Sequence, residues 1–492
     1  MTRRGGIRPW KVLLILVAAV LAGLAIMLQV RGWTTLQSEA GGACGTSNSG
    51  GALGACPRGE TSVLIVSFIA GFISLPVVVP AIFRRPRLNL VFVAVGVACG
   101  LLAGQVLFGW WHGTDLGIDW TAPYDSSASL TTEGVWTIGD ALIRVRADEV
   151  VSYQATTGRQ QWSLTVPGLD VACAVSAGTG GQPPVGLIGY GTGNGACDNV
   201  LAVDLSTGRQ LWSRQVTTGL SGNQGTGMVA IAGAAAVVVS EGGVYGLDPQ
   251  TGALRWTLPS PSGCADQTAA VAGQSGVVLA ACQQASFDVI DFDAATGGPL
   301  WQAHVAQPTQ SYDFALLSAD PVVVDDQIPG VRKVEHVITF GVGGRQESSI
   351  LVSGISLPGG SAALDTDYYS GFGTETAVAD GLLVGVTQPV NGESDIIAFR
   401  LSDGRRQWLV PMPDQVVSLE PDGGRLLFVD WSQPVASLET VAIPTGAVHP
   451  VGFIPQGVSG FTDASVYPAG GHYIVVNGSG VDPTSPIAAV GR

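Results

Sequence analysis

The sequence predicts an all-β propeller of seven or eight four-stranded blades, preceded by three transmembrane α-helices. Three observations support this prediction. Long apolar stretches lie near the N-terminus, short runs of β-branched residues separated by glycine follow them, and one unit recurs at intervals of 44 to 50 residues. With 46% hydrophobic residues, 69 glycines and no triplet period, the 492-residue chain is neither disordered nor collagen-like.

The apolar stretches are residues 12–30, 63–83 and 88–111, and none of them contains a charged side chain. Each is close to the roughly 20 residues that a helix needs to cross a bilayer core. Pro76 and Pro80 interrupt the second stretch, which a membrane helix tolerates. We therefore expect three transmembrane helices with the lipid bilayer as their partner.

The basic residues of this membrane region, residues 1–111, predict its orientation, because arginine and lysine favour the cytoplasmic side of short membrane loops. They precede the first stretch and crowd the link between the second and third: Arg3, Arg4, Arg8, Lys11, Arg84, Arg85 and Arg87. We expect a multi-pass protein of the cell membrane with a cytoplasmic N-terminus and an extracytoplasmic propeller. The alternative is a cleaved signal peptide, which the long first stretch and the lack of a small-residue cleavage site disfavour.

The cysteines fit this topology. Six of the seven fall in segments predicted to be extracytoplasmic, as near neighbours in sequence: Cys44 with Cys56, Cys173 with Cys197, and Cys264 with Cys282. An oxidising compartment would join them as local disulfides, although six cysteines allow fifteen pairings and free thiols are the alternative. The seventh, Cys99, lies inside the third apolar stretch. No Cys-x-x-Cys pair occurs and the five histidines are scattered, so no metal site is predicted.

After a polar linker, residues 112–133, one short unit recurs along the propeller region, residues 134–492. An apolar strand ends in a tight turn with Asp or Thr before a glycine, and a tryptophan follows four residues after that glycine. Glycine supplies the positive φ of the turn, Asp or Thr bonds its amides, and the tryptophan fills the space between neighbouring sheets. The clear copies are Gly158 with Trp162, Gly208 with Trp212, Gly252 with Trp256, Gly297 with Trp301, and Gly404 with Trp408.

The spacing of the copies predicts the number of blades. The first steps between turn glycines are 50, 44 and 45 residues, enough for four strands with their turns. The gap between Gly297 and Gly404 holds one decayed copy, whose turn is expected at 357–360, and 443–446 supplies another turn without a tryptophan. Spare strands after it either complete the first blade or form an eighth. An open solenoid is the alternative, but a closed ring hides its strand edges.

The pattern Asp-x-x-Thr-Gly-x-x-x-Trp, which follows an apolar strand in these copies, resembles the repeat of pyrroloquinoline-quinone-type (PQQ-like) β-propellers. The resemblance covers about residues 134–490 and implies the propeller fold there. It implies two possible activities, because such propellers include quinoprotein alcohol and glucose dehydrogenases. They also include cofactor-free scaffolds, such as an outer-membrane assembly lipoprotein.

The sequence favours the scaffold. Quinoprotein dehydrogenases of this kind carry a vicinal disulfide, calcium ligands and a catalytic Asp, whereas no Cys-Cys pair occurs here and no residue could be matched to the other groups. We therefore predict no catalytic residue and no cofactor. PQQ and calcium are expected only under the alternative function, a membrane-bound quinoprotein dehydrogenase that oxidises alcohols or sugars.

Charge excludes one class of partner. The chain carries a net −15, and because residues 1–111 hold nine basic and two acidic residues, the remainder carries −22. A domain this acidic repels phosphate backbones, so nucleic acid is not expected. We expect a membrane-anchored extracytoplasmic propeller that acts, without catalysis, as a binding or scaffold module for an envelope protein, a peptide or a polysaccharide. Two lysines against abundant arginine, glycine and alanine indicate a GC-rich bacterial genome.

Overall fold

The structure is a computed structural model of the chain. It describes residues 9–40, 60–84, 86–112, 115–127, 130–192, 197–216, 228–232, 235–240, 242–283, 286–306, 314–328, 334–352, 355–357, 360–362, 376–387, 394–432, 435–455, 458, 464–478 and 485–491.

Three helices precede the first strand: α1 (Pro9–Ala40), α2 (Glu60–Arg84) and α3 (Pro86–His112). Each extends beyond the apolar stretch predicted for it. Each contains a span that is long and apolar enough to cross a membrane, namely Trp10–Gln37, Thr61–Ala81 and Leu90–Gly109. Pro76 and Pro80 lie inside α2 without ending it.

Glycines allow α1 and α3 to approach closely. Gly96, Gly100 and Gly104 recur every four residues on α3, and a Cβ atom added at any of them would collide with α1. At Gly100 it would meet the carbonyl oxygen of Val20, and Gly23 of α1 lies against the α3 backbone in the same way. Small residues spaced by four are a common basis of helix packing in membranes, because they let the backbones touch.

A large side chain at Gly100 should open this contact. In Gly100→Leu we expect a cysteine placed at Ala19, which is fully buried, to react with a maleimide several times faster than in the parent chain, with Cys99 replaced by alanine in both. Gly109→Leu is the matched control, because nothing lies within 4 Å of a Cβ atom at that position. Equal labelling rates in the two leucine variants would contradict the packing.

The described strands form eight four-stranded antiparallel sheets, which are the blades. The first strand of the chain, β1 (Gly117–Thr121), belongs to blade 8. The others, in chain order, are as follows: blade 1, β2 (Thr132–Ile138), β3 (Ala141–Arg146), β4 (Glu149–Gln154) and β5 (Gln160–Thr165); blade 2, β6 (Val171–Val175), β7 (Val185–Gly191), β8 (Asn199–Asp204) and β9 (Arg209–Gln215); blade 3, β10 (Val229–Ala232), β11 (Ala235–Ser240), β12 (Gly243–Leu247) and β13 (Leu254–Pro259); blade 4, β14 (Cys264–Ala272), β15 (Ser275–Cys282), β16 (Ser286–Asp293) and β17 (Pro299–Ala306).

The second half of the ring continues in the same way: blade 5, β18 (Phe314–Ala319), β19 (Val322–Ile328), β20 (Val334–Phe340) and β21 (Gln346–Leu351); a small hairpin, β22 (Ile355–Leu357) and β23 (Gly360–Ala362); blade 6, β24 (Thr376–Ala379), β25 (Leu382–Val386), β26 (Asp395–Arg400) and β27 (Arg406–Pro411); blade 7, β28 (Gln415–Asp422), β29 (Arg425–Ser432), β30 (Val435–Ala442) and β31 (Val448–Ile454); blade 8, β32 (Ala464–Ala469), β33 (His472–Asn477) and β34 (Ile487–Gly491).

Blade 8 closes the ring by joining distant parts of the chain. Strand β1 pairs with β34, so that Gly117 lies opposite Gly491 and Thr121 opposite Ala488. The spare C-terminal strands therefore form an eighth blade instead of completing the first. The segment assigned to a linker contributes the outer strand of that blade, and its backbone pairs with the edge of β34 that would otherwise be free.

The fifth blade corrects one detail of the repeat. Its turn lies at Val342–Gly344, a short 3-10 turn between β20 and β21, and not at 357–360. The chain at 357–360 instead joins β22 to β23. The true turn was missed because it lacks the Asp and Thr of the other copies, whereas Gly344 keeps their positive φ, at 75°.

The ring has two sides, whose connections differ in length. Because each blade is an antiparallel meander, the turns between its first and second and between its third and fourth strands share one side, here called the turn side. The other side, here called the loop side, carries the second-to-third connections and the connections between blades. Turn-side connections are mostly two to six residues long, whereas the loop-side connection from Leu351 to Thr376 holds 24 residues and that from Gln215 to Val229 holds 13.

The core is divided among the gaps between blades. Each cluster of buried residues combines side chains from neighbouring blades; between blades 2 and 3, for example, Leu187 and Val200 pack with Val229 and Val238. The second strands are buried on both faces, as the uninterrupted burial of β11 shows. The outer strands alternate instead, because one of their faces meets solvent. No single blade could bury these side chains alone.

Candidate functional site

The repeat glycines and tryptophans meet between blades. Gly208, Gly252 and Gly297 have φ values of 71°, 68° and 71°, which favour glycine. Each lies against the indole ring of the preceding blade's tryptophan, so that Gly208 contacts Trp162 and Gly297 contacts Trp256. A Cβ atom at either position would enter the ring. The tryptophan therefore packs beneath the turn of the next blade and not beneath its own.

Hydrogen bonds to the next blade fix several of the repeat tryptophans. The indole N–H of Trp212 donates to the carbonyl oxygen of Pro249 at 2.8 Å, and that of Trp256 to the carbonyl of Ala294 at 3.1 Å. Each acceptor lies three residues before the turn glycine of the next blade. Trp408 bonds Ile443 in the same way. The indole thus joins two blades by both packing and a directed bond.

The contact between a turn glycine and the preceding blade's tryptophan recurs in the remaining copies, with one exception. Gly344 contacts Trp301, and Gly446, in the seventh turn, contacts Trp408. At the joint of blades 5 and 6, Gly404 meets Ile350 instead of a tryptophan. Blade 5 therefore has an aliphatic side chain in the joint position.

The closing blade has its own tryptophan, which sequence analysis missed. Trp120 of β1 lies against Gly158 and donates its indole N–H to the carbonyl of Ala155 at 2.8 Å. It also stacks near Tyr153, with ring centroids 6.3 Å apart. Sequence analysis missed Trp120 because no turn glycine stands four residues before it. The third and fourth strands of blade 8, β34 and β1, come from opposite ends of the propeller sequence, so no continuous turn joins them.

Aspartates stabilise the turns, as the repeat predicts. The carboxylate of Asp248 accepts hydrogen bonds from the amides of Gln250 and Thr251, and that of Asp293 from the amides of Ala295 and Thr296. Bonds from Thr296 hold the pKa of Asp293 below its usual value. At Asp248 slight burial opposes the same effect, and the bond from Arg255 helps to keep the pKa low. These carboxylates therefore stabilise the turns.

A buried ion pair lies where blade 8 meets blade 1. The guanidinium of Arg144 on β3 donates to both carboxylate oxygens of Asp125 at 2.9 Å, and each side chain is 1% exposed. Arg144 Nε also donates to the hydroxyl of Thr132, which donates to the carbonyl of Asn477. These residues, Asp125, Thr132, Arg144 and Asn477, form the closing joint. It connects the segment after β1 to blades 1 and 8.

Glu420 is an ionisable residue on the first strand of blade 7. Burial raises its pKa to about 7. Burial also raises the pKa of Tyr467 on blade 8, and the nearby Glu420 charge adds to that increase. Because the folded chain holds the Glu420 proton more tightly than the unfolded chain, stability falls as pH rises from about 4.5 to about 7.

Replacing Glu420 by glutamine should remove this pH dependence. We expect Glu420→Gln to raise the free energy of unfolding by up to about 3 kcal/mol near pH 8 and to change it little below about pH 4. Denaturant unfolding followed by tryptophan fluorescence at several pH values measures the effect. Glu347→Gln, which makes the same substitution at an exposed glutamate of blade 5, is the control. A uniform offset at all pH values would argue against a titrating Glu420.

Two of the expected cysteine pairs are disulfides, Cys173–Cys197 and Cys264–Cys282. Cys44 and Cys56 lie outside the described residues. Cys99 is a free, exposed cysteine of α3. Both disulfides lie towards the loop side, where each ties the first strand of its blade to the end of the second strand or to the loop that follows.

The second disulfide belongs to a polar cluster on blade 4. Strand pairing sets Cys264 opposite Cys282 and Asp288 opposite His304, so these side chains share one face of the sheet. The Asp288 carboxylate is 7% exposed, accepts a bond from the amide of Gln302 at 2.7 Å and lies 2.7 Å from His304 Nδ1. Cys264 Sγ is 3.9 Å from the nearer oxygen of Asp288. These five residues are called the blade 4 cluster.

Arginines mark the turn side. Every exposed arginine in the described part of the propeller lies there: Arg159, Arg209, Arg255, Arg345, Arg400, Arg405, Arg406 and Arg425. Acidic residues occur on both sides. On the loop side, Asp148 and Glu149 accept contacts from the partly buried Arg146, whereas Asp325 and Asp326 are buried. The first acidic pair therefore takes part in ion pairs within the propeller, and the second is buried inside it.

A family model for the outer membrane protein assembly factor BamB matches residues 146–410, more than half of the chain. The chain belongs to this family. The match runs from the end of β3 to the outer strand of blade 6, so it contains all five clear repeat copies and the blade 4 cluster. The resemblance to PQQ-like propellers that the repeat predicts is confirmed.

Individual proteins are also similar to this chain. BamB of Burkholderia pseudomallei (strain K96243) is 29% identical over 177 residues, which cover 34% of this chain and 43% of that protein. The chain therefore matches less than half of that BamB. The crystal structure of BamB from Moraxella catarrhalis is 15% identical with a TM-score of 0.45, covering 77% of this chain and 97% of that one. Saccharomyces cerevisiae Sqt1 is 12% identical with a TM-score of 0.46, covering 76% and 99%.

Proposed function

We propose that this protein is a membrane-anchored extracytoplasmic scaffold whose loop side binds another envelope protein, without catalysis. The unequal connections of the propeller carry this proposal. Turns of mostly two to six residues on one side, and loops that reach 13 and 24 residues on the other, suit a rigid ring that presents one binding surface. The family is named for an assembly factor, and a role in assembly supports binding of another protein here.

The route of the chain supports an orientation for the scaffold. Four residues separate His112, the end of α3, from Gly117, the start of β1, so at most about 18 Å lies between them. Strand β1 begins on the turn side, where Asp119 contacts His472 at 2.8 Å. If the helices cross the membrane, the turn side faces it. The loop side is then left open to a partner.

Site-specific photocrosslinking tests the binding surface. Leu169 on the loop side and Val342 on the turn side are both almost fully exposed apolar residues, so they form a matched pair of positions. With a photoreactive amino acid in the full-length membrane protein, we expect a discrete protein adduct from position 169 and none from position 342. Adducts from 342 alone, or no protein adduct from either position, would contradict the proposed surface.

Two further measurements test the rest of the proposal. Thiol labelling of intact cells should modify a cysteine introduced at Leu169, because the propeller is proposed to be extracytoplasmic; protection until lysis would refute that location. Addition of PQQ and calcium to the purified protein should give no dye-linked oxidation of alcohols or sugars. Clear turnover would favour the quinoprotein dehydrogenase over the scaffold.

A further inference from the structure

We propose that reduction of the Cys264–Cys282 disulfide converts the blade 4 cluster into a zinc-binding site, with Cys264, Cys282 and Asp288 as its protein ligands. The sulfur atoms and a carboxylate oxygen of these three residues lie within 4.8 Å of one another. They are the only such group of at least three metal-ligating side chains among the residues that the structure describes. The proposal is independent of the scaffold role.

The separation of the donor atoms suits zinc. In a tetrahedral site, a thiolate at ~2.3 Å and a carboxylate oxygen at ~2.1 Å from the ion lie about 3.6 Å apart. Cys264 Sγ and the nearer Asp288 oxygen are already 3.9 Å apart. The two sulfurs must separate once their bond is broken, and the donor atoms of all three residues already lie within 4.8 Å of one another. Two thiolates with one carboxylate favour zinc over calcium or magnesium, which prefer oxygen ligands alone.

The surroundings of Asp288 resemble the support that metal ligands need. Gln302 and His304 hold the carboxylate in place from the next strand, at 2.7 Å each. Outer groups of this kind orient a ligand and strengthen its binding to the ion. Cys282 and Asp288 are buried, whereas Cys264 is partly exposed and gives the ion and a fourth, water ligand access. His304 is a positioning residue here, not a ligand.

The chemistry of the switch balances with a dithiol as reductant. The dithiol loses two electrons and two protons and becomes its own disulfide, while the Cys264–Cys282 bond is cleaved to two thiols. Zinc then replaces both thiol protons, which are released to solvent. In the reverse direction, a disulfide oxidant re-forms the bond and the ion leaves. Zinc would thus replace the disulfide as the link between β14 and β15.

Cobalt binding tests the proposal on the full-length protein in detergent. After anaerobic reduction with a phosphine, we expect one Co²⁺ to bind with the visible bands of tetrahedral coordination and thiolate charge transfer, and zinc to displace it. The unreduced protein should show neither. Asp288→Asn should weaken binding at least tenfold, and Cys264→Ser should remove the site. His304→Ala should weaken it by roughly 10–100-fold without changing the shape of the spectrum.

The other cysteines provide the control. Cys173→Ser/Cys197→Ser removes the second described disulfide, and this variant should bind cobalt as the parent does. Thiolate bands that remain in Cys264→Ser would overturn the proposal. An Asp288→Asn variant that binds cobalt as tightly as the parent does would also overturn it. Zinc is proposed to replace the disulfide. The proposal would therefore also fail if reduction abolished the native circular-dichroism signal and zinc did not restore it.

Discussion

Replacement of Asp125 by alanine is expected to lower the free energy of unfolding of the propeller by about 3–5 kcal/mol. The substitution leaves the guanidinium of Arg144 buried without its bidentate partner, in a site where both side chains are 1% exposed. Removing one member of a buried pair costs far more than the pair contributes as a whole, since the remaining charge has no water to solvate it. Denaturant unfolding in detergent, followed by tryptophan fluorescence, measures the loss.

An exposed pair of the same chemistry is the control for this prediction. Asp403 accepts from Arg400 at 3.0 Å on blade 6, and both side chains are more than a third exposed. Asp403→Ala should cost less than about 1 kcal/mol. The double variant Asp125→Leu/Arg144→Met should recover part of the loss, because no charge then remains buried. Equal effects of Asp125→Ala and Asp403→Ala would show that the closing joint is not an important source of stability.

Replacement of Trp120 by alanine should destabilise the ring by a similar amount, about 3–5 kcal/mol. The change removes the ring that packs on Gly158 and leaves the carbonyl of Ala155 without its donor. Because both contacts join blade 8 to blade 1, the loss concerns ring closure and not one blade. Unfolding in denaturant gives its size, and limited proteolysis should show faster cleavage between residues 112 and 132.

A neighbour on the same strand separates this effect from damage to β1 itself. Ile118 is 48% exposed and lies two residues before Trp120. Ile118→Ala should change stability by no more than about 0.5 kcal/mol, as is usual for surface positions. If the two alanine variants lose equal stability, Trp120 is an ordinary edge residue and the assignment of a repeat role to it is wrong.

The repeat could be predicted from sequence because its parts are local. Gly208 and Trp212 stand four residues apart, and the turn that needs a positive φ lies in the same short segment. Trp120 could not be predicted in this way. The strand that precedes it in the blade, β34, lies at the far end of the propeller region, so the glycine turn and the tryptophan are not neighbours in sequence. Gly344 was missed for a different reason: the backbone angle it supplies is kept, but the polar residues that make the pattern visible are absent.

The blade 4 cluster shows the other limit of sequence reasoning. Cys264, Cys282, Asp288 and His304 have no regular spacing, and only the pairing of four strands puts them on one face. The closing joint was equally hidden, because Arg144 is 19 residues from its partner Asp125, and Asn477, whose carbonyl accepts from Thr132, lies 345 residues after that threonine. Long-range register, which a single sequence does not reveal, decides both sites.

The position of β1 has a consequence for biosynthesis. Among the described strands it is the first to leave the ribosome, yet the strand it pairs with, β34, ends 374 residues later at Gly491. At ~5–20 residues per second, roughly 20–75 seconds pass between the synthesis of these two strands. During that delay β1 waits beside the last helix with an unpaired edge. A chaperone that binds β1 would shield that edge from other newly made chains.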